Sequence, residues 1–158
     1  MKRLWFVATL GDQQYGLPVE QVTEAVRAAK LVTVPQAPRA LLGALLFRGR
    51  PVPVIDLRPR LGIESRPIAA RDHFVVCEIG GRAGVLVAEE LRGLVELDPT
   101  AGLLNDVPAP EYVIAAVTDP MGRPVLLLDL ARVLEAPEVA AIQRAIDGLD
   151  LEEDPRVG

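Results

Sequence analysis

The chain predicts a mainly β fold built from two similar halves, and two observations carry that prediction. The first is a set of short runs rich in Val, Ile and Leu, bounded by Gly, Pro, Asp or Asn, at residues 6–10, 44–47, 52–57, 74–79, 83–87, 113–118 and 125–130. Regularly spaced short strands of this kind build barrels or a sandwich. The second is an internal repeat. The block that opens Gly49-Arg50-Pro51-Val52 and continues through Asp56-Leu57 to Leu61 returns as Gly122-Arg123-Pro124-Val125 through Asp129-Leu130 to Leu134, with seven of thirteen positions identical at an offset of 73 (122 − 49). An earlier block, Phe6-Val7 with Tyr15-Gly16-Leu17-Pro18-Val19, matches Phe74-Val75 with Ala83-Gly84-Val85-Leu86-Val87 at an offset of 68 (74 − 6). Val34-Pro35 meets Val107-Pro108, already at 73, so the second copy carries five extra residues (73 − 68) between Gly84 and Pro108. Ordered blocks that recur in this way are two copies of one unit.

The turns follow the same logic. Gly11-Asp12 and Gly80-Gly81 close the first strand of each half, and Arg48-Gly49-Arg50 and Met121-Gly122-Arg123 precede the repeated strand, so each reads as a hairpin. Pro51 and Pro53 lack amide donors, which puts their strand at an edge or leaves part of its ladder unused. Val19, Val22 and Val26 have helical spacing, while Glu24-Ala25-Val26 could equally open a strand. A helix is expected at 137–149: Pro137 suits a first turn, Glu138 suits the positive dipole end, and Val139, Ile142, Ile146 and Leu149 form one apolar stripe. The acidic stretch 151–158 lacks any pattern and is expected to fray.

Composition limits the function classes. With 158 residues, half hydrophobic and a quarter charged, the chain can bury a core as one domain or two closely joined subdomains. No apolar run approaches the roughly 20 residues that span a bilayer, and Leu4 to Leu10 is too short for a secretory signal, so direct membrane insertion is not expected and the cytoplasm is the default compartment. The single cysteine, Cys77, excludes an internal disulfide and reads as a core thiol in a reducing compartment. A net charge of −5 argues against non-specific nucleic-acid binding, which depends on neutralising phosphates.

Catalytic chemistry finds little support. Any Ser/His or Cys/His arrangement must use His73, which stands at a strand start beside Asp72. Asp56 and Asp129 are equivalent in the repeat, and a carboxylate at that place caps the turn after the strand by accepting backbone N–H bonds. There is no phosphate-binding loop, no cofactor signature and no metal-ligand spacing, and Glu152-Glu153-Asp154 lacks the alternation of a calcium loop. Residues that break the repeat are then the informative ones. Arg48 aligns with Met121 and Phe47 with Pro120, so the arginine is dispensable to the turn and can project a charged fork from the apolar Leu45-Leu46-Phe47. Glu24 faces Arg92 or Leu97 in the second copy, and neither keeps the acid.

Together these blocks resemble the CheW-like domain of bacterial chemosensory systems. The likeness runs from about Phe6 to Leu134 and rests on Tyr15-Gly16-Leu17-Pro18-Val19 followed by Val22 and Glu24, Val34-Pro35, Gly43, Arg48-Gly49, Pro51 to Arg58, and Leu128-Asp129-Leu130. The family carries Asn-Leu-Arg-Gly where this chain has Leu46-Phe47-Arg48-Gly49, and a glycine matching Gly43 where it has Ala116. The resemblance implies two pseudo-symmetric, intertwined five-stranded β-barrels of the Src-homology type with a C-terminal helix. Within one domain spanning 1–150 they fall at about 14–65 and 72–135, the N-terminal strand being open to exchange and the chain crossing between halves near 64–72. It also implies a non-catalytic, free-standing adaptor at cytoplasmic receptor arrays, joining the tip of methyl-accepting chemoreceptors to the regulatory domain of a CheA-type histidine kinase, with other CheW-like domains as further neighbours. Carried over by position, Val22, Glu24, Leu46, Phe47 and Arg48 are the expected partner-binding residues. The alternatives are a scaffold of the same fold that has lost one partner, for which Leu46 is the pointer, and a small ligand-binding barrel or hydrolase.

Overall fold

A computed structural model describes residues 1–102 and 109–149, so Val107, Pro108 and the stretch 151–158 lie outside the described residues. Ten strands form two five-stranded sheets. The first sheet runs β8 (Glu90–Leu97), β1 (Arg3–Leu10), β2 (Gln13–Pro18), β10 (Pro124–Leu128), β9 (Val113–Thr118); the second runs β3 (Val22–Arg27), β6 (His73–Ile79), β7 (Arg82–Ala88), β5 (Arg50–Ile55), β4 (Leu41–Phe47). Three of these strands were not legible as apolar runs. β2, with its Gln, Gly and Pro, has poor strand propensity and is held by its partners on both sides, while β8 alternates exposed and half-buried residues around Gly93. The Val19–Val26 stretch divides: Val19–Gln21 is one 3-10 turn and Val22 opens β3.

The two sheets have the same strand order once the halves are superposed, and each half donates its first hairpin to the other's sheet. β1 and β2 pair with β8 and β10, while β6 and β7 pair with β3 and β5. The division at 14–65 and 72–135 therefore follows the repeat but not the sheets, which are assembled from β1–β2 with β8–β10 and from β3–β7. A whole hairpin is exchanged from each half, not one N-terminal strand, and the chain crosses at Val19–Gln21 and at Glu89, not at 64–72.

The pairing also corrects the repeat register. Leu10 faces Gln13 across the first two-residue loop and Ile79 faces Arg82 across the second, an offset of 69 (79 − 10). The flanking strands agree: Trp5 faces Val95 and Phe74 faces Val26, with a bulge at the same place in both pairs. The true partner of Gly16 is thus Val85, not Gly84, and that of Glu24 is Gly93. A one-residue slip exchanges the two faces of a strand, which is why matching the glycines misassigns every side chain around them. Likewise Gly43 faces Val54 as Ala115 faces Leu127, so Ala115, not Ala116, is its counterpart.

Three apolar cores follow. One barrel encloses Trp5, Val7, Leu97, Val117, Val125 and Leu127; the other encloses Phe74, Val76, Leu45, Val52, Val54 and Val85. Between them lies the largest, with Leu10, Tyr15, Leu17, Ile55, Leu86 and Leu128 in its centre. Side-chain volume is conserved across the pseudo-symmetry: Trp5 replaces Phe74 and Leu127 replaces Val54, and Gly16 in place of Val85 makes the room. A Cβ on Gly16 would lie 2.8 Å from Leu127 Cδ2. Helix α1 (Ala136–Asp147) begins one residue before and ends two residues before the expected span and lays Ile142 and Ile146 on the central core. The amide of Glu135 donates to Glu138 Oε1 at 2.9 Å, and Arg60 pairs with the same carboxylate, so its first turn is anchored to the loop after β5.

Candidate functional site

Glu24 lies on β3 and Arg48 in the loop after β4, the two edge strands of the second sheet, and curling that sheet into a barrel brings them together. Arg48 Nη2 donates to Glu24 Oε1 at 3.4 Å, and the guanidinium lies 4.7 Å from the centre of the Phe47 ring. The bulge between Val22 and Glu24 turns the acid toward the β4–β5 loop. In that loop Arg48 has φ +52° and Gly49 φ +78°, the positive pair of a type I′ turn. A left-handed conformation costs an L-residue roughly 1–2 kcal/mol, so Arg48 is held at the tip against its backbone preference. Arg48 is therefore not interchangeable with Met121, whose loop is one residue longer and spans Pro120-Met121-Gly122 between Asp119 and Arg123.

The Arg48 side chain is 71% exposed and that of Glu24 41%, and a pair so open to solvent contributes only about 0–1 kcal/mol to stability. Leu46 is exposed beside it, Phe47 is half-buried under the guanidinium, and Val22 is half-buried against the central core. The structure brings Glu24, Phe47 and Arg48 into contact; Leu46 flanks them and Val22 lies two residues along β3. Four apolar residues escaped the sequence reading. Leu4 and Leu94 are exposed on either side of Phe6, whose strand lies against the 3-10 turn that feeds Val22. Leu42 and Ile114 are exposed at matching places on β4 and β9. Recognising β8 and the correct register would have exposed both pairs.

Several other titratable groups have structural work. The amides of Arg58 and Ala131 donate to Asp56 Oδ1 and Asp129 Oδ1, each at 3.0 Å, which is the turn-capping role expected for these equivalent carboxylates. Cys77 is in the core, where burial pushes its thiol up to about 12. At the second crossover, Glu89 Oε2 accepts from the Gly11 amide at 2.8 Å and from the buried Arg58 at 3.4 Å. Arg66 donates from both terminal nitrogens to Asp72 at 2.9 and 2.7 Å. This clasp ties the first hairpin of one barrel to the β5–β6 connection of the other. Among the described residues no group of three or more His, Cys, Asp or Glu converges to hold a metal, and no helix is long and apolar enough to cross a membrane.

The family model described as a CheW-like domain matches residues 5–138. Protein FrzA of Myxococcus xanthus is 28% identical over 145 residues, covering 89% of this chain and 90% of that protein. The chemotaxis protein CheW of Klebsiella aerogenes is 24% identical over 145 residues, covering 87% and 85%. The crystal structure of the scaffolding protein TtCheW from Thermoanaerobacter tengcongensis superposes with a TM-score of 0.75 at 23% identity, covering 87% of this chain and 96% of that one.

Proposed function

The chain belongs to the CheW-like domain family, and from that premise we propose that it is a chemosensory adaptor coupling methyl-accepting chemoreceptors to a CheA-type histidine kinase. The observation that carries the reading is the Glu24–Arg48 pair stacked on Phe47, an exposed and backbone-strained constellation whose acid and base are both missing from the pseudo-symmetric half. A receptor tip is a helical hairpin, and the strip Leu4, Phe6 and Leu94 beside Val22 offers the apolar track on which a helix lies. Arg48 and Glu24 at the rim orient it, and Leu46 adds an apolar contact next to the charged fork. The regulatory domain of the kinase has the same fold in this family, and Leu42 and Ile114 supply matched apolar contacts, one per barrel. Kinase domains and further CheW-like domains would then join through either barrel in an array at the cytoplasmic receptor tips.

The role asks for two simultaneous contacts on one rigid body, and the shared central core supplies the rigidity without any catalytic step. The test is reconstitution of this chain with a candidate CheA-type kinase and a receptor tip fragment, reading kinase autophosphorylation. Receptor-dependent activation that requires the chain supports the reading. Binding to only one of the two partners would instead assign it to the scaffold that has lost an interaction.

A further inference from the structure

The two barrels differ at one seam, and the difference opens a groove on the α1 side of the molecule. In the first sheet β10 runs parallel to β2 with Val125, Leu126 and Leu127 facing Gln14, Tyr15 and Gly16. In the second, β5 meets β7 only at Val54 with Val85 and Ile55 with Leu86, so the pairs matching the first two are absent. Pro53 stands where Leu126 does and has no amide to donate. Gly84 stands where Tyr15 does. Tyr15 fills its side of the central core and donates from its hydroxyl to the Val87 carbonyl at 3.0 Å, whereas Gly84 carries no side chain and only Ile79 lies over it, its Cδ1 2.6 Å from where a Cβ would stand.

The result is a groove of about 290 Å³ between the opened seam and α1. Val52, Pro53, Ile79 and Gly84 line one side; Val139, Ile142 and Ile146 line the other. Val139 is 38% exposed, although it belongs to the helix's apolar stripe. Arg50 and Arg82 border the groove, and no carboxylate lines it. Arg82 donates to the neutral Gln143 Oε1 at 2.6 Å, and neither arginine has an acidic partner among the described residues. Two cations at one apolar trough, without an acidic partner among the described residues and in a chain of net charge −5, are a charge pattern that selects an acidic ligand.

We propose that this groove is a docking surface, separate from the Glu24–Arg48 face, for a short amphipathic helix of a partner protein whose apolar stripe is flanked by Asp or Glu. The α1 wall from Val139 to Ile146 is two helical turns, about 10 Å long, which matches the i, i+3, i+7 spacing of the apolar side chains such a helix presents. The partner helix lies alongside α1, covers Val139, and sets its acids on Arg50 and Arg82.

The probe is a stapled helix of about 14 residues carrying leucines at i, i+3, i+4 and i+7 with glutamates beside them, compared with the same helix bearing lysines. Titrated into the full chain and followed by backbone amide shifts, the acidic helix is expected to move Ala83, Gly84 and Ile142 and to bind at least ten-fold tighter than the basic one at low salt. Arg50→Glu with Arg82→Glu should reverse that preference, and Val139→Asp should weaken both helices; all three positions border solvent, and an unchanged thermal midpoint checks folding. Arg48→Glu should leave this binding unchanged, which separates its failure from failure of the adaptor reading. Equal affinity for the two helices, or shifts that map elsewhere, overturns the proposal. So does acidic-helix binding that emerges only when residues 150–158 are removed, because the groove would then belong to the chain's own acidic segment.

Discussion

Arg48 pays for its place at the hairpin tip with backbone strain, and that makes stability and coupling separable at one residue. Asn tolerates the left-handed conformation that Arg48 adopts at φ +52°. Arg48→Asn is therefore expected to melt no lower than the native chain, gaining up to about 1 kcal/mol, while receptor-dependent kinase activation falls. Arg48→Glu keeps the strain, reverses the charge, and should cost about 2 kcal/mol of partner binding with a change in folding stability below about 0.5 kcal/mol. Loss of fold in either variant, seen by thermal denaturation, would make Arg48 a structural residue. Asp72 is the opposite case. Burial alone would raise its carboxyl, but the two bonds from Arg66 and the Ala69 amide outweigh that and hold it below the usual carboxylate range. Its folded value is lower than its unfolded one, so its contribution is fully present above the unfolded value of about 3.9 and is lost as pH falls through the folded value. Asp72→Asn should cost about 3 kcal/mol at neutral pH and flatten the acid limb of stability against pH, read by denaturant titration.

At the scale of elements, the swapped hairpins make a sharp contrast between two glycines that look equivalent in sequence. Gly16 lies inside a filled barrel, where a Cβ would meet Leu127 Cδ2 at 2.8 Å with Val125 and Trp5 behind it. Gly84 lies beside the groove, where a Cβ would press on Ile79 Cδ1 at 2.6 Å, but Ile79 borders open space into which it can turn. Gly16→Ala is thus expected to destabilise by about 1–3 kcal/mol and Gly84→Ala by less than about 1 kcal/mol, despite its shorter contact. Equal losses in urea denaturation would mean that Ile79 cannot turn aside and that the two glycines are equally enclosed. The same elements show why part of the candidate site was hidden. Glu24 and Arg48 are 24 residues apart, on one edge strand of a sheet and in the loop after the opposite edge strand, and only closure of the barrel makes them a pair.

For the whole molecule, hairpin exchange means that neither barrel is a contiguous stretch of chain. Trp5 reports on one barrel alone, since it is buried in that core at 1% exposure, whereas far-UV circular dichroism reports on both sheets. The two signals are expected to give one coincident unfolding transition, because the central core and both crossovers must break together. Separate midpoints would show that the barrels unfold independently and that the exchange contributes little cooperativity.

The sequence by itself determined the β class, the duplication, the capping role of Asp56 and Asp129, the burial of Cys77 and the C-terminal helix, because each depends on local spacing or on a block that recurs. Family membership was legible for the same reason, in ordered motifs spread from Phe6 to Leu134. Tertiary structure alone decided which hairpin joins which sheet, the one-residue correction of the register, the strain in Arg48, and the contact between Glu24 and Arg48. The strain in Arg48 follows from the two-residue loop closed by Phe47 and Arg50, and the others are choices of partner between segments. A strand's sequence says that it needs partners on both sides but not which strands they will be, and that choice is made by burial of the shared core.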